Sequence, residues 1–113
     1  MNGQFLDGKT AVVTGASRGL GRAMALALGG AGARLALVGR DEAKLAETQA
    51  LAKEQGIESE VYRCDVRDEA QVTKLEHQVK QRFGNVHILI NNAGTAVSYT
   101  HLTLPTKEAV CWC

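Results

Sequence analysis

Short apolar runs alternate with longer stretches of helical spacing along the first 90 residues of the chain. Four runs have the length of strands and end in glycine or beside polar residues: Lys9–Gly15, Arg34–Gly39, Glu58–Cys64 and His87–Ile90. Near-continuous apolar runs of this length are typical of parallel strands, which are covered on both faces. The third run alternates instead, as a half-buried strand does. The pattern predicts four strands.

The stretches between these runs repeat apolar residues every three or four positions, as amphipathic helices do. Aspartate suits a helix start and glycine a helix end. The predicted helices, with their flanking residues, are Gly19 to about Ala31, Asp41 (cap) to Gln55 before Gly56, and Asp68 (cap) to Phe83 before Gly84. The order β-α-β-α-β-α-β predicts an α/β fold, a Rossmann-like doubly wound parallel sheet with strand order 3-2-1-4.

Composition and charge narrow the class of protein. The chain has 113 residues, 45% hydrophobic and 22% charged, close to average soluble domains. Thirteen basic and twelve acidic residues without a charge block argue against nucleic acid or anionic membrane as a partner. The sequence shows neither an apolar stretch of about 18 residues nor a secretory leader. With an odd number of cysteines, three, we expect a cytoplasmic location.

A glycine-rich segment, TGASRGLG, joins the first strand to the first helix. In this context Gly15 permits a tight turn, Gly19 lets the backbone approach a pyrophosphate, and Gly21 lets the helix pack close to the strand. Amide groups at the helix start can bind phosphate, and Ser17 and Arg18 can add side-chain donors. The segment is a candidate dinucleotide site, and a flexible turn without a ligand is the alternative.

Arg40 directly follows the second strand, which ends in Gly39. Sites for NAD usually place a carboxylate at this strand end, whereas sites for NADP use arginine to bind the 2′-phosphate. Arg40 and Arg18 can together form a charge-assisted clamp on such a phosphate. The sequence therefore favours NADP (NADPH) over NAD, and a solvated loop cation is the alternative for Arg40.

Polar residues also close the third and fourth strands. Asp65, in the segment CDV, can point into the ligand crevice and accept a hydrogen bond from an adenine amino group, or it can simply cap the following loop. After the fourth strand the segment NNAG supplies amides that can hold neighbouring strand ends together. Its small residues Ala93 and Gly94 let a ribose approach. An ordinary turn is the alternative for this segment.

These motifs, in this order and each at the carboxyl end of a strand, resemble the short-chain dehydrogenase/reductase family. More narrowly, they are similar to its NADP-preferring 3-oxoacyl-carrier-protein reductases, over residues 5 to about 96. The resemblance implies an NAD(P)-dependent oxidoreductase, a small carbonyl or hydroxyl substrate in the full-length parent, and a homo-oligomeric parent. It assigns Thr14 and Asn91 to a structural pair between the glycine turn and the fourth strand. It assigns these residues to the dinucleotide: Gly15, Ser17, Arg18, Gly19, Leu20 and Gly21 to the phosphates, Asp65 and Val66 to the adenine, and Asn92, Ala93 and Gly94 to the ribose.

The catalytic Tyr-x-x-x-Lys of that family has no counterpart in this sequence. The tyrosine gives its proton to the carbonyl oxygen as hydride arrives, and the lysine lowers the pKa of that tyrosine. The fourth residue after Tyr62 is Val66, and the fourth after Tyr99 is Thr103. No catalytic residue is predicted, and we expect binding without turnover. The alternative is a non-catalytic dinucleotide-binding or NADPH-sensing module.

The composition changes at residue 97. All 12 glycines lie at or before Gly94, whereas residues 97–113 hold the only proline, the only tryptophan and two of the three cysteines. We predict an NAD(P)-binding half-domain over residues 1–96 and an atypical tail, foreign or disordered, over 97–113. The fourth strand is then expected to form an edge of the sheet with unpaired backbone groups. No metal site is predicted, because Cys111 and Cys113 lack the further ligands that zinc takes.

Overall fold

The computed structural model describes residues 6–17 and 19–92, together with the backbone of residues 110–112. All seven predicted elements lie in the described residues, each within one residue of its predicted bounds, and a fifth strand follows them. The strands are β1 (Thr10–Thr14), β2 (Arg34–Gly39), β3 (Ser59–Arg63), β4 (Ile88–Asn91) and β5 (Val110–Trp112). The helices are α1 (Gly19–Gly30), α2 (Glu42–Glu54) and α3 (Glu69–Phe83).

The predicted helix ends are confirmed by their hydrogen bonds and backbone angles. The carboxylate of Asp41 accepts a hydrogen bond from the backbone N–H of Lys44, and that of Asp68 accepts two from the first turn of α3. Gly56 follows α2 with a φ of 73°, and Gly84 caps α3 with a φ of 80°. Both angles lie in the left-handed region where glycine is favoured.

The strands form one parallel sheet in the order β3-β2-β1-β4-β5. Alternate residues of β1 lie on its opposite faces, as a strand requires. Ala11 and Val13 pack in a core with residues of α1 and α2, whereas Val12 packs in a second core with residues of α3. Helices therefore cover both faces, and the predicted doubly wound Rossmann-like sheet with order 3-2-1-4 is confirmed.

The expectation that β4 forms an edge of the sheet is wrong. Residues 110–112 pair with β4 in parallel, with Ile88 opposite Val110 and Ile90 opposite Trp112. The physical reason is that the outer side of β4 carries backbone donors and acceptors that a later segment can satisfy. Apart from these three residues, segment 97–113 lies outside the described residues, and its foreign origin stays a prediction.

Candidate functional site

A cleft of about 510 Å³ opens at the carboxyl ends of the parallel strands. In open α/β sheets this is where ligands bind, beside the point at which the strand order reverses. Six residues assigned to the dinucleotide from sequence line it together: Gly15, Ser17, Arg40, Asp65, Val66 and Asn92. The strand ends of β1, β2, β3 and β4 therefore bring separate sequence motifs to one cleft.

The remaining predicted residues fall into two groups. Gly19, Leu20 and Gly21 begin α1 and are not among the residues that line the cleft. Leu20 has 66% of its surface exposed, so its apolar side chain packs little against the described core. The other predicted residues lie outside the described part of the chain: Arg18, Ala93 and Gly94.

The glycine turn is built on two close backbone approaches. Gly15 has a φ of 66°, and a Cβ there would lie 2.8 Å from the carbonyl oxygen of Asn92. A Cβ on Gly21 would lie 2.0 Å from the carbonyl oxygen of Gly15. Neither distance can accommodate a carbon atom against backbone, so α1 and the end of β4 both contact the turn directly. This is the tight turn and close helix packing expected from the glycine spacing.

Thr14 and Asn91 join β1 to β4 immediately below the cleft, which confirms that these residues are paired. The hydroxyl of Thr14 donates to Oδ1 of Asn91 at 2.9 Å and accepts from the backbone N–H of Asn92 at 3.0 Å. Thr14 is fully buried and Asn91 is 8% exposed. Since buried polar groups are costly without partners, this network fixes where the chain leaves β4 for the cleft.

Replacement of Thr14 by valine is expected to lower the free energy of unfolding by about 1–3 kcal/mol, because buried groups that bonded to the hydroxyl lose their partner. Valine keeps the branched shape, so packing changes little. Urea unfolding measures the effect. Thr14→Ser retains the hydroxyl and should recover most of the loss, and an equal loss in both variants would assign the effect to packing instead.

Arg22 and Thr48 hold the glycine turn against α2, which sequence reasoning did not predict. Arg22 donates from Nη2 to the carbonyl oxygen of Ser17 at 2.6 Å and from Nε to Oγ1 of Thr48 at 2.8 Å. The hydroxyl of Thr48 donates to the carbonyl oxygen of Ala16 at 2.9 Å. The available signal was Thr48 itself, a polar residue three positions after buried Leu45 on the apolar face of a predicted helix.

Two further cations of the cleft were also missed. Lys44, in the first turn of α2, and Arg67, after β3, line the cleft together with Arg40. Lys44 also forms an ion pair with Glu47 at 3.7 Å. Their position in the sequence could have identified them, because both residues closely follow the carboxyl end of a parallel strand.

Asp65 is held by the loop that follows it. Its carboxylate accepts hydrogen bonds from the backbone N–H and the guanidinium of Arg67 at 3.0–3.2 Å, so the capping role considered from sequence is present. Its own backbone N–H donates to Gln71 at 2.8 Å. The hydrogen bonds from Arg67, aided by the charge of Arg40, hold the pKa of Asp65 below its usual value. Asp65 is therefore a carboxylate near neutral pH.

Tyr62 lies apart from this cleft. It is on β3 and lines a groove against α3 with Gln71 and Leu75. Burial, with a contribution from the charge of Glu60, raises the pKa of its phenol. A proton-donating tyrosine of the expected chemistry needs a lowered pKa. Tyr99 lies outside the described residues.

Within the described ranges, no group of three or more His, Cys, Asp or Glu side chains is arranged to hold a metal ion.

Comparison with known families and relatives agrees with the motifs. The family model for short chain dehydrogenase matches residues 9–110. The fatty acyl-CoA reductase of Acinetobacter baylyi is 37% identical over 92 residues, which are 81% of this chain and 31% of that relative. The chain spans about a third of the length of the curated relatives it matches, from 31% to 40% of each.

Solved structures share the fold as well as the sequence. A metagenomic short-chain oxidoreductase in complex with NADP has a TM-score of 0.77 and 40% identity, over 80% of this chain and 41% of that one. An NAD+-bound xylitol dehydrogenase has a TM-score of 0.78 and 36% identity, over 80% of this chain and 35% of that one. The strand order, the glycine turn and the family match lead to one conclusion: this chain belongs to the short-chain dehydrogenase family.

Proposed function

We propose that residues 1–96 form the half-domain that binds the adenosine end of a nicotinamide dinucleotide for an oxidoreductase. The observation that carries this proposal is the cleft in which Gly15, Arg40, Asp65 and Asn92 meet at the strand ends. The family supports oxidoreductase chemistry in general. Hydride transfer between the nicotinamide and a small carbonyl or hydroxyl compound is our proposal for the full-length protein.

The pyrophosphate is assigned to the start of α1. Backbone N–H groups and the helix dipole favour an anion there. Gly19 suits this role because, apart from its chain neighbours and the adjacent helix backbone, no heavy atom of the described residues lies within 4 Å of the position of an added Cβ. Its backbone is therefore open to a ligand on that side. Ser17 and Arg18 are proposed as side-chain donors, with Leu20 and Gly21 completing the turn.

The remaining parts of the dinucleotide follow from the same cleft. Asp65 and Val66 are proposed to bind the adenine, since both follow the carboxyl end of β3 and line the cleft. Asn92, Ala93 and Gly94 are proposed to border a ribose.

We propose that NADP is preferred over NAD. Arg40 is exposed on the cleft at the end of β2, and among the described residues its guanidinium has no hydrogen bond or ion pair of its own. Lys44 adds a second positive charge nearby. Asp41 faces the same cleft, but its carboxylate caps α2 and is therefore less suited to accept from a ribose hydroxyl. Solved relatives include an NADP complex and an NAD+ complex, so the preference rests on these residues.

Chemical turnover by this chain alone is not expected, because neither tyrosine is followed four residues later by lysine. A non-catalytic module that senses NADPH is the second candidate function, supported by the same observation.

The narrower similarity to 3-oxoacyl-carrier-protein reductases, a homo-oligomeric parent and a cytoplasmic location stay predictions. No helix in the described residues has the length and apolar content to cross a membrane.

Titration of the chain with NADPH and NADH, followed by nicotinamide fluorescence, tests the proposal. We expect saturable binding of both and tighter binding of NADPH. Adenosine 2′,5′-bisphosphate should compete with NADPH, because it carries the adenine and the 2′-phosphate alone. Absence of binding would contradict the proposal. Carbonyl reduction by this chain would instead overturn the expectation of binding without turnover.

A further inference from the structure

We propose that Arg67 is a positioning residue that makes the cleft selective for the 6-amino group of adenine over the 6-carbonyl group of hypoxanthine. The inference rests on the proposed function, because it concerns the base of the same dinucleotide. It deepens that function by assigning discrimination between two purines to a residue outside the glycine, Arg40 and NNAG motifs.

The geometry around Asp65 carries the inference. The backbone N–H and Nε of Arg67 both donate to Oδ1 of Asp65, at 3.0 and 3.1 Å, and Nη2 donates to Oδ2 at 3.2 Å. Two guanidinium nitrogens thus donate to the two carboxylate oxygens in a bidentate arrangement, which fixes the plane of the carboxylate. Both residues line the dinucleotide cleft.

The acceptor positions that remain open on the Asp65 carboxylate determine which ligand atoms can bind there. An ionised carboxylate offers about four lone-pair sites. Arg67 occupies three, which leaves one on Oδ2 for a ligand. The same contacts lower the pKa of Asp65, so near neutral pH its carboxyl group accepts hydrogen bonds and does not donate them. A ligand atom at this position must therefore be a donor.

Adenine and hypoxanthine differ at this position. The exocyclic amino group of adenine donates, whereas the exocyclic oxygen of hypoxanthine only accepts and would face a carboxylate lone pair. A site arranged for a donor disfavours the analogue that lacks it, because the free lone pair of Oδ2 then faces a second acceptor and no hydrogen bond forms. In Arg67→Ala the backbone N–H of residue 67 still donates to Oδ1, but the two guanidinium hydrogen bonds are lost. The carboxylate can then rotate away from the base, which lets the site tolerate an acceptor.

Arg67 is suited to a test by substitution because it is not part of the core. Its side chain is 60% exposed, and exposed ion pairs contribute little to stability. Arg67→Ala is therefore expected to leave the unfolding transition unchanged. Arg63→Ala is the matched control, since Arg63 is an exposed arginine at the end of β3 that lines the groove against α3 and not the cleft.

The experiment compares the dissociation constants of NADPH and of the reduced form of nicotinamide hypoxanthine dinucleotide phosphate for the full chain, so that the two ligands differ only in the base. We expect the wild type and Arg63→Ala to prefer NADPH by about tenfold, the scale of one charge-assisted hydrogen bond. Arg67→Ala should reduce the preference to about threefold or less. Asp65→Asn supplies an amide donor and should remove or reverse it.

A second measurement needs no ligand. In an NMR titration the pKa of Asp65 should rise in Arg67→Ala toward its ordinary value, while Arg63→Ala leaves it in place. An unchanged base preference in Arg67→Ala, with NADPH still bound, would overturn this inference alone. Failure of the wild type to bind either dinucleotide would overturn the proposed function and this inference with it.

Discussion

Replacement of Gly21 by alanine is expected to destabilise the fold by about 2–4 kcal/mol, as overpacking against backbone does, and to abolish dinucleotide binding. The added Cβ would lie 2.0 Å from the carbonyl oxygen of Gly15 and 2.9 Å from Nδ2 of Asn92. The first of these is a backbone atom of the turn, which cannot move aside as a flexible side chain does. To relieve the contact, α1 must move away from the end of β1.

Gly30→Ala is the matched control in the same helix. Beyond the backbone of α1 and the neighbouring residues, no heavy atom in the described part of the chain lies within 4 Å of an added Cβ at Gly30. Alanine also favours a helix over glycine by up to about 1 kcal/mol. We expect Gly30→Ala to be neutral or slightly stabilising in urea unfolding and to bind NADPH normally. If Gly21→Ala unfolded at the same urea concentration as Gly30→Ala, the close packing of α1 on the turn would be contradicted.

The elements were predictable because each rests on a local rule. The apolar runs of β1 and β2 are buried on both faces, so their composition alone identifies them. Aspartate caps at 41 and 68 and glycines at 56 and 84 set the helix ends through short-range hydrogen bonds and backbone angles. The alternation of strands and helices then predicted a parallel sheet with right-handed crossovers, and the order 3-2-1-4 is that of the Rossmann-like fold.

The contacts that sequence reasoning missed are long-range. Arg22 reaches Thr48 across 26 positions of sequence, and nothing local marks either residue as a partner of the other. The pairing of β5 with β4 was missed because a three-residue strand carries no periodic pattern of its own. The hydrogen bonds from Arg67 to Asp65 were missed because the sequence is the same whether a loop arginine points into solvent or pairs with a nearby carboxylate. Local rules therefore located the cleft, whereas the side chains that orient its polar groups could be identified only from the three-dimensional structure.

Replacement of Arg40 by aspartate is expected to weaken NADPH binding by about ten- to a hundredfold, while NADH binding changes by about threefold or less. The 2′-phosphate loses a charge-assisted donor and faces a carboxylate, whereas the 2′-hydroxyl of NADH gains an acceptor. The ratio of the two dissociation constants is therefore the diagnostic quantity.

Arg63→Asp makes the same change of charge on an exposed arginine outside the cleft. It should leave the ratio of NADPH to NADH affinity as in the wild type, which separates a direct contact from a general loss of positive charge. The wild-type preference should also shrink as salt is raised, because an exposed phosphate contact is screened. Equal losses for NADPH and NADH in Arg40→Asp would contradict the assignment of Arg40 to the 2′-phosphate and leave the two cofactors indistinguishable at the end of β2.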